Sequence, residues 1–359
     1  MGLSVWFRRH FKRGNSMIDW ITAVIPFRHK RINNGHVQKI DSDGVERWLV
    51  ACPKQFEGSF ESSIAVKSND LSECLQYADK LYISGNPTKF LQGHNVIGTD
   101  DLNLLVERTL EAIADKAGFV LDDVTRRRIR NGFYFVKRID INYMFQLPSL
   151  SDVRAFIDAA GIKTRTRHGR STIKKGTFYV GQTSKRWAIK GYSKFDEIMG
   201  GEKGHRLPAQ LFSSPLLGFT EDKLRLELVL RAPELKKITD DENPSARQIL
   251  ELGISSLFNE YISRLEMTAN VSIKDEKLAD LPSKIQGTYA LWRQGFDVRS
   301  MLPKATFYRH KTLLKDYEID ISLPHEQCDN HASNVVPLVR VLEAKPVSIP
   351  THLLSYIVH

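Results

Sequence analysis

The sequence predicts an α+β fold, in which a mainly antiparallel sheet carries helices packed on one face and a helical C-terminal region follows. Three observations predict it. Short β-branched and aromatic segments with alternating polarity recur between residue 17 and about residue 233, separated by turn residues. Two amphipathic helical patterns interrupt them. After Pro233 the apolar residues recur at helical spacing, which marks a change of architecture.

The composition is that of a globular protein with a basic excess. The chain has 359 residues, with 52 Lys and Arg against 42 Asp and Glu, a net charge of +10. A positive excess favours polyanionic partners such as nucleic acid. The 3 cysteines form neither a disulfide framework nor a zinc pattern and fit a reducing cytoplasm. No apolar run approaches the roughly 18 residues of a membrane span, so we expect no membrane association.

The N-terminal part predicts a disordered leader and then strands. Residues 1–16 mix arginines with aromatic residues and lack both the apolar core and the cleavage site of a secretory signal. We expect them to be a basic, disordered leader. The strand predicted from Met17 ends at Pro26, and further strands follow in ERWLVAC and SSIAVKS. A hairpin is predicted to turn at Gly85-Asn86-Pro87, and Asp100 or Asp101 is predicted to cap the helix after it.

Two predicted strands carry carboxylates opposite an apolar face. In KRIDINYMF, Asp140 shares a face with Arg138 and Asn142, and in DKLRLELVLRAP, Glu227 lies opposite four leucines. If the strands are neighbours, Asp140 and Glu227 converge on one hard cation such as Mg²⁺ or Mn²⁺. The alternative is that each carboxylate forms a surface salt bridge with a neighbouring arginine.

The stretch Gly176 to Met199 predicts two strands and a short helix capped by Ser193. Alternation puts Lys190 and Tyr192 on one face of the second strand, and Lys194 follows two residues later. A phenol between two lysines is a candidate nucleophile toward phosphate, although free tyrosine has a pKa of about 10 and needs cations to react at neutral pH. The alternative is an amphipathic tyrosine between two solvated lysines.

The segment Lys163 to Lys175 is strongly basic and contains no acid. It is either a solvated loop or a contact to a DNA backbone. The residues predicted to contact DNA here are Arg165, Arg167, Arg170, Lys174 and Lys175.

The C-terminal region predicts one long helix capped near Asn243 or Ser245, then several shorter helices. DVRSML, a proline turn and KATFYRHKTLLKDY have the proportions of a helix-turn-helix, with Arg309 and Lys311 on the second helix as candidate DNA contacts. The segment NVVPLVR predicts an edge strand or a strap, because Pro337 interrupts it.

These motifs resemble the replication initiator nickases of filamentous bacteriophages. The longest matches are KFLQGHNVIGTDDL, from Lys89 to Leu102, and NVVPLVR, from Asn334 to Arg340. Shorter matches follow the family's order: MIDW, RID, RLELVLR and the Tyr-x-Lys that ends at Lys194. The resemblance covers about residues 17–343, and it makes the predicted fold one of the rolling-circle nickase type.

The resemblance implies a metal-dependent DNA strand transferase that starts rolling-circle replication in the cytoplasm of the bacterial host. Such an enzyme nicks the plus strand of a supercoiled duplex origin, and its tyrosine, here Tyr192, becomes linked to the 5′ phosphate. A host polymerase and helicase then displace the single strand, which the enzyme cuts and rejoins into a circle. Lys194 and Lys190 would steady the phosphate or help the phenol ionise, and the cofactor would be Mg²⁺ or Mn²⁺.

One departure from the wider class of rolling-circle nickases concerns the metal. Those enzymes usually bind it through a His-x-His pair, and none of the 11 histidines here forms one. The predicted site is therefore carboxylate-rich, with His94 as a candidate third ligand beside Asp140 and Glu227.

The predicted division of the chain is a leader at 1–16, a catalytic domain at 17–233, a helical DNA-binding or dimerisation region with a terminal strap at 234–343, and a tail at 344–359. Two other functions stay open. One is a non-catalytic origin-binding repressor or regulator. The other is a metal-dependent nuclease that hydrolyses DNA with water.

Overall fold

The computed structural model describes residues 16–32, 34–58, 60, 62–68, 76–166, 169–200, 206–267, 281–293, 296–317, 319–322 and 346–358. They fall into two compact units, one of residues 1–269 with 338–359 and one of residues 270–337. Residues 1–15 of the predicted leader at 1–16 and the predicted strap NVVPLVR lie outside the described residues, whereas Ser16 begins the first strand. The predicted boundary at residue 233 comes too early, because the helices up to Ile262 pack on the sheet.

The first unit is built on a nine-stranded antiparallel sheet, as predicted, with the order β10-β11-β12-β13-β7-β1-β6-β5-β4. A two-stranded hairpin, β2–β3, and a small sheet, β14-β8-β9, accompany it. The strands are β1 (Ser16–Lys30), β2 (His36–Ile40), β3 (Glu46–Ala51), β4 (Lys54–Glu57), β5 (Ser63–Ser68), β6 (Tyr77–Gly85), β7 (Phe135–Gln146), β8 (Thr164–Thr166), β9 (Gly169–Arg170), β10 (Thr172–Lys174), β11 (Thr177–Val180), β12 (Trp187–Ser193), β13 (Lys223–Arg231) and β14 (Glu266–Met267).

The helices that cover the main sheet pack chiefly on the leucine face of its central strands. Phe258 packs on Tyr143 with ring centroids 4.4 Å apart, and Phe156 packs on Phe178 at 6.3 Å. The helices of this unit are α1 (Pro87–Gln92), α2 (Leu102–Ala117), α3 (Asp123–Arg130), α4 (Leu150–Lys163), α5 (Lys194–Met199), α6 (Ala209–Phe212), α7 (Pro215–Phe219), α8 (Ala232–Thr239), α9 (Ala246–Leu252) and α10 (Ile254–Ile262).

The opposite face of the sheet is partly covered by the chain's own C-terminal segment, 346–358. Leu353, in a 3-10 helix from Thr351–Tyr356, is buried with Met144, Ile198 and Leu216. The Val347 amide donates to the Met144 carbonyl at 2.9 Å. The predicted tail is therefore a structural segment of the first unit.

Several local predictions are confirmed and others are wrong. Asp101 caps α2 and Ser193 caps α5, as predicted, and Ser149 caps α4. The hairpin predicted at Gly85-Asn86-Pro87 is wrong, because Asn86 caps α1 by accepting from the Lys89 amide at 2.8 Å. The proline occupies the first turn of this helix, where its missing N–H costs nothing.

Three further corrections concern where elements end. The first strand continues past Pro26 to Lys30, because its pairing with β7 ends at Val24 and only β6 remains as a partner. The long helix predicted after Ser245 is two helices, broken at Gly253, whose φ is 81°. The basic segment predicted as a loop contains β8, β9 and β10.

The second unit is a small helical module with its own core. Its helices are α11 (Ser283–Arg293), α12 (Val298–Met301) and α13 (Lys304–Lys315), and the last two are separated by a short turn at Leu302 and Pro303. Val298, Phe307 and Leu314 share one buried cluster with Ile285. This arrangement has the proportions of the predicted helix-turn-helix. None of the described helices is long and apolar enough to cross a membrane.

Candidate active site

Three central strands of the sheet, β12, β13 and β7, present a polar face, as their alternation predicts. In register, Lys190 pairs with Glu227, and Glu227 pairs with Asn142. One step along, Tyr192 pairs with Arg225. The leucines of β13 point to the opposite face, which is covered by helices. The predicted polar residues therefore lie side by side, although the three strands come from distant parts of the sequence.

Two buried carboxylates lie in the middle of this face. Glu227 is 1% exposed, and one of its oxygens, Oε1, lies 2.6 Å from the Lys190 ammonium. Asp140 accepts two hydrogen bonds from Arg138, at 2.7 and 2.6 Å. Burial raises the pKa of Glu227 to about 7, with the negative charges of Asp140 and Asp19 adding to the rise and Lys190 opposing it. The site concentrates negative charge that cations must balance.

Tyr192 lies beside this pair of carboxylates. Its phenol oxygen is 3.4 Å from Oε2 of Glu227, a weak contact, and the residue is 6% exposed. Burial raises the pKa of the phenol well above its usual value, Glu197 and Glu227 raise it further, and Arg225 acts in the opposite direction. Ionisation of this phenol therefore depends on the cations that surround it.

The two predicted lysines differ in their surroundings. Lys190 is half-buried; burial alone would lower the pKa of Lys190, but the Glu227 and Asp140 carboxylates raise it above its usual value. Lys194 is buried, and its ammonium donates to Asn95 Oδ1 at 2.8 Å and to Glu197. Burial lowers the pKa of Lys194, with the carboxylate of Glu197 opposing this.

Arg225 is a site residue that the sequence analysis did not select. It is fully buried, and its Nη2 donates to the carbonyl of Val96 at 2.6 Å. Its Nε and Nη1 make no hydrogen bond to any residue that the structure describes. It faces Tyr192 across the β12–β13 pair. A buried guanidinium with unused donors next to a phenol is suited to stabilise negative charge there.

The motif KFLQGHNVIGTDDL contacts these site residues through Asn95 and Val96. Asn95, within it, binds Lys194 through its oxygen and donates to Asp19 through its nitrogen at 2.8 Å. Asp19 also accepts from Asn86 at 2.6 Å and sits where the pairing of β1 with β7 shifts register. Asp19 and Asn95 were missed as site residues, although both lie in segments, MIDW and QGHNV, that the sequence analysis matched to the phage nickases.

His94 has a structural position, and its predicted role as a third metal ligand is not supported. Its Nδ1 accepts from the Val96 amide at 3.3 Å, so Nε2 carries the proton and donates to the Tyr356 carbonyl at 3.1 Å. Both ring nitrogens are therefore engaged within the protein, Nδ1 by the Val96 amide and Nε2 by the C-terminal segment. In the part of the chain that the structure describes, no three His, Cys, Asp or Glu side chains are grouped to hold a metal ion.

We expect His94 to make the fold sensitive to mild acid. Burial lowers its pKa from 6.5 to about 4, and the cations Lys194 and Arg225 contribute. As the pH falls, the unfolded chain takes up this proton before the folded protein does. The free energy of unfolding is therefore highest above pH 6.5, and it decreases by about 3 kcal/mol as the pH falls toward 4. Urea unfolding of His94→Gln should show a flatter pH dependence over this interval, whereas His36→Gln, at an exposed site, should match the parent protein. Equal slopes for all three would contradict the assignment.

A pocket of about 450 Å³ opens beside Tyr192. Its base includes Lys190 and Tyr192 of β12 and Thr177 and Tyr179 of β11. Lys174, the last residue of β10, and Lys175, in the β10–β11 turn, also line the pocket and are exposed. The phenol that is otherwise buried thus borders a space large enough for a small ligand.

The remaining predicted DNA contacts are dispersed. Arg165 and Arg170 are opposite each other in the β8–β9 pair, and Arg167 lies outside the described residues. Arg309 is exposed on α13, while Lys311 lies 3.7 Å from Asp320. The structure brings together Tyr192, Lys190, Lys194, Asp140 and Glu227. Among the predicted DNA contacts whose side chains the structure describes, Lys174 and Lys175 border the adjoining pocket.

Two family models match almost the whole chain. Residues 17–272 match the model described as replication-associated protein G2P N-terminal, and residues 273–355 match replication-associated protein G2P C-terminal. The replication-associated protein G2P of Enterobacteria phage I2-2 is 43% identical over 335 residues, which are 93% of this chain and 96% of that protein. The protein of the same name from Enterobacteria phage M13 is 24% identical over 311 residues, 72% of this chain and 73% of that protein.

Among solved structures, a rolling circle replication initiator protein from Geobacillus stearothermophilus aligns with 73% of this chain and 90% of its own. The alignment has a TM-score of 0.31 and 9% sequence identity.

Proposed function

The chain belongs to the replication-associated protein G2P family of filamentous phages, and from this premise we propose that it initiates rolling-circle replication by nicking and rejoining DNA through Tyr192. The observation that carries the proposal is the position of the Tyr192 phenol. It borders the 450 Å³ pocket on one side and lies 3.4 Å from Glu227 on the other. A nucleophile needs both an approach for its substrate and a polar environment that balances charge.

In the proposed reaction, the Tyr192 oxygen attacks the scissile phosphorus of the plus strand. A tyrosyl–5′-phosphate bond forms, the bond from phosphorus to the 3′ oxygen breaks, and a 3′ hydroxyl leaves. The phenol proton passes to a base, for which Glu227 is positioned at 3.4 Å, and the 3′ oxygen takes up a proton from water as it leaves. Because one phosphodiester replaces another, the reverse reaction rejoins the displaced strand without a nucleotide cofactor.

Arg225 and Lys190 supply positive charge on the polar face. Arg225 faces Tyr192 across the strand pair and favours the ionised phenol. Lys190 borders the pocket and would contact a non-bridging oxygen after releasing Glu227. Lys194 is buried against Asn95 and Glu197, so we assign to it the support of the end of β12, where Tyr192 lies, rather than a contact to the phosphate.

A divalent cation fits the two carboxylates. Asp140 and Glu227 lie diagonally across the β13–β7 pair, and each already accepts a cationic side chain where a metal ion would bind. Mg²⁺ characteristically uses one or two protein carboxylates together with water and phosphate oxygens, so a third protein ligand is not required. When bound, Mg²⁺ or Mn²⁺ would polarise the phosphate and stabilise the leaving oxygen.

We propose that the helical module supplies affinity for the duplex origin. The exposed surface of α13 includes Lys304, Arg309 and Lys315, and the preceding α12 completes a helix-turn-helix arrangement. Lysine and arginine side chains in this setting contact phosphates and the edges of bases in the major groove.

The test is an adduct assay. Supercoiled plasmid carrying the phage origin is incubated with protein and Mg²⁺ or Mn²⁺, denatured, and separated to detect protein bound covalently to a 5′ end. An adduct supports the proposal. Nicked DNA without adduct points to a hydrolytic nuclease, and tight origin binding without nicking points to a regulator.

We expect removal of the metal, or of either carboxylate, to stop the reaction. Chelation should abolish the adduct, and Asp140→Asn or Glu227→Gln should slow its formation on the order of 10²-fold or more, because charge on the phosphate is no longer balanced. Higher Mn²⁺ should partly restore the Asp140→Asn protein. The control is Glu251→Gln, which removes an exposed carboxylate paired with Arg247. Full activity in the presence of chelator would contradict the metal assignment.

A further inference from the structure

The pocket beside Tyr192 has the composition of a site for single-stranded DNA. Tyr179 lies in register with Lys190, and Thr177 with Tyr192, so one aromatic side chain shares the face on which the nucleophile stands. Tyr179 is partly exposed into the pocket, whereas Phe178, its neighbour, is buried on the opposite face. An exposed aromatic ring beside a phosphate-reactive group offers a stacking surface for a base.

The acids of the pocket are already paired with cations. Asp196 accepts two hydrogen bonds from Arg154, at 2.9 and 2.7 Å, and Glu197 accepts from Lys194. Lys174 and Lys175 stand on the other side of the pocket, exposed to solvent. The pocket can therefore accept an anion without placing it against unpaired carboxylates.

The β10–β11 turn, which carries Lys175, has an unusual backbone conformation. Lys174 pairs with Thr177, which leaves Lys175 and Gly176 as a two-residue turn, with φ of 49° and 69°. Such a turn requires positive φ at both positions and favours Asn or Gly at the first. A lysine there costs stability relative to asparagine, and residues held in such conformations cluster at binding sites. The lysine of this turn lines the pocket.

We propose that this pocket binds one unpaired nucleotide of the strand that Tyr192 attacks, with the base stacked on Tyr179 and the backbone phosphates held by Lys174 and Lys175. The inference rests on the proposed function and adds to it the side chains that hold the scissile strand beside Tyr192. The scissile region must be single-stranded when it enters the site, because a base inside a duplex cannot reach the Tyr179 ring. Supercoiling of the origin would supply that local melting.

The first experiment measures binding without chemistry. The full-length Tyr192→Phe protein is titrated with fluorescein-labelled (dT)12 and with a 12-base-pair duplex, followed by anisotropy. Adding Tyr179→Ala should weaken (dT)12 binding about tenfold or more and leave duplex binding unchanged, since stacking is worth about that much per base. Adding Tyr179→Phe, which keeps the ring, should recover most of the affinity. Tyr77→Ala removes an exposed tyrosine from β6 and is the matched control.

The second experiment uses the strained lysine. Lys175→Asn should lower the slope of log affinity against log salt by about 0.7, as expected for one lost phosphate contact to a single strand. Its unfolding temperature should be unchanged or higher by about 1–3 °C, because asparagine tolerates the turn conformation better. Lys39→Asn, at an exposed position of β2, should change neither quantity.

The outcomes separate this inference from the proposed function. If neither Tyr179→Ala nor Lys175→Asn changes the affinity for (dT)12, the proposed nucleotide-binding pocket is wrong, even when the wild-type protein forms the covalent adduct. Binding that depends on Tyr179 and its ring supports the pocket, even when no adduct forms and the chemistry must be reassigned. A loss of duplex binding equal to the loss of (dT)12 binding would also overturn it.

Discussion

Replacing Tyr192 with phenylalanine is expected to abolish the covalent protein–DNA adduct while leaving the fold intact. The change removes one oxygen, whose hydrogen bond to Glu227 is long at 3.4 Å. Glu227 keeps its ion pair with Lys190, so the free energy of unfolding should change by less than about 1 kcal/mol. Loss of the nucleophile should reduce adduct formation on the order of 10³-fold or more. Quantitative gel analysis of adducts, with urea unfolding in parallel, measures both effects.

The matched control is Tyr143→Phe. Tyr143 is also a buried tyrosine of the main sheet, but it lies on the opposite face and donates to Ser255 at 2.8 Å. We expect this variant to lose more stability than Tyr192→Phe and to keep its activity. Should Tyr192→Phe still form a 5′ adduct, another residue is the nucleophile. If Tyr192→Phe still nicks DNA and the parent protein forms no adduct, the nucleophile is water.

The polar face of the central strands could be predicted from the sequence because strand alternation is a local property. The four leucines of β13 fix which of its side chains enter the core, and Glu227 must then point the other way. The same reasoning places Asp140 on β7 and Lys190 on β12. Which strands are neighbours is a long-range property, and the order β12-β13-β7 became evident only in the structure.

The sequence alone could not identify site residues whose role depends on contacts with distant parts of the chain. Arg225 alternates with the leucines like any surface arginine, and nothing local shows that Val96 covers it. Asp19 sits where the β1–β7 register shifts, so strict alternation gives no reliable face for it. A structural role for His94 could not be predicted, because its hydrogen-bond partner, Tyr356, is 262 positions away in sequence.

Two wrong predictions of local structure concern residues that are compatible with more than one local conformation. Asn-Pro after a strand is typical of a turn, but the Asn86 side chain also caps a helix, and the apolar run after it decides between them. Gly253 is tolerated inside a helical pattern, yet its φ of 81° ends one helix and begins the next. In both cases packing against the sheet selects one of two locally acceptable conformations.

The match of KFLQGHNVIGTDDL to the phage nickases has a structural explanation. Its residues are not those that attack phosphate. Instead, Asn95 holds Lys194, the Val96 carbonyl holds Arg225, and His94 fastens the C-terminal segment beneath them. The motif therefore supports the side chains that we propose to be catalytic, which is the function expected of residues that fix a reactive geometry.

Replacing Arg225 with methionine is expected to remove activity without removing the fold. We expect adduct formation to slow by about 10²–10³-fold, the usual effect of losing one buried donor to developing negative charge. The free energy of unfolding should change by less than about 2 kcal/mol, because a buried cation with two nitrogens that lack partners among the described residues is itself costly and methionine fills similar space. Because Arg225 opposes the effect of burial on the pKa of Tyr192, the pH profile of adduct formation should move to higher pH.

The control for this prediction is Arg231→Met, which removes an arginine from the same strand six residues further on, at the far end of the polar face from Tyr192. Its rate should change by less than about threefold. Arg225→Lys keeps the charge but loses the planar fork, so it should retain more activity than Arg225→Met and shift the pH profile less. An Arg225→Met protein that is folded, as active as its parent and unchanged in pH profile would show that the guanidinium serves only to hold the Val96 carbonyl. The pH shift distinguishes the two roles, because a purely structural arginine has no reason to move the ionisation of the phenol.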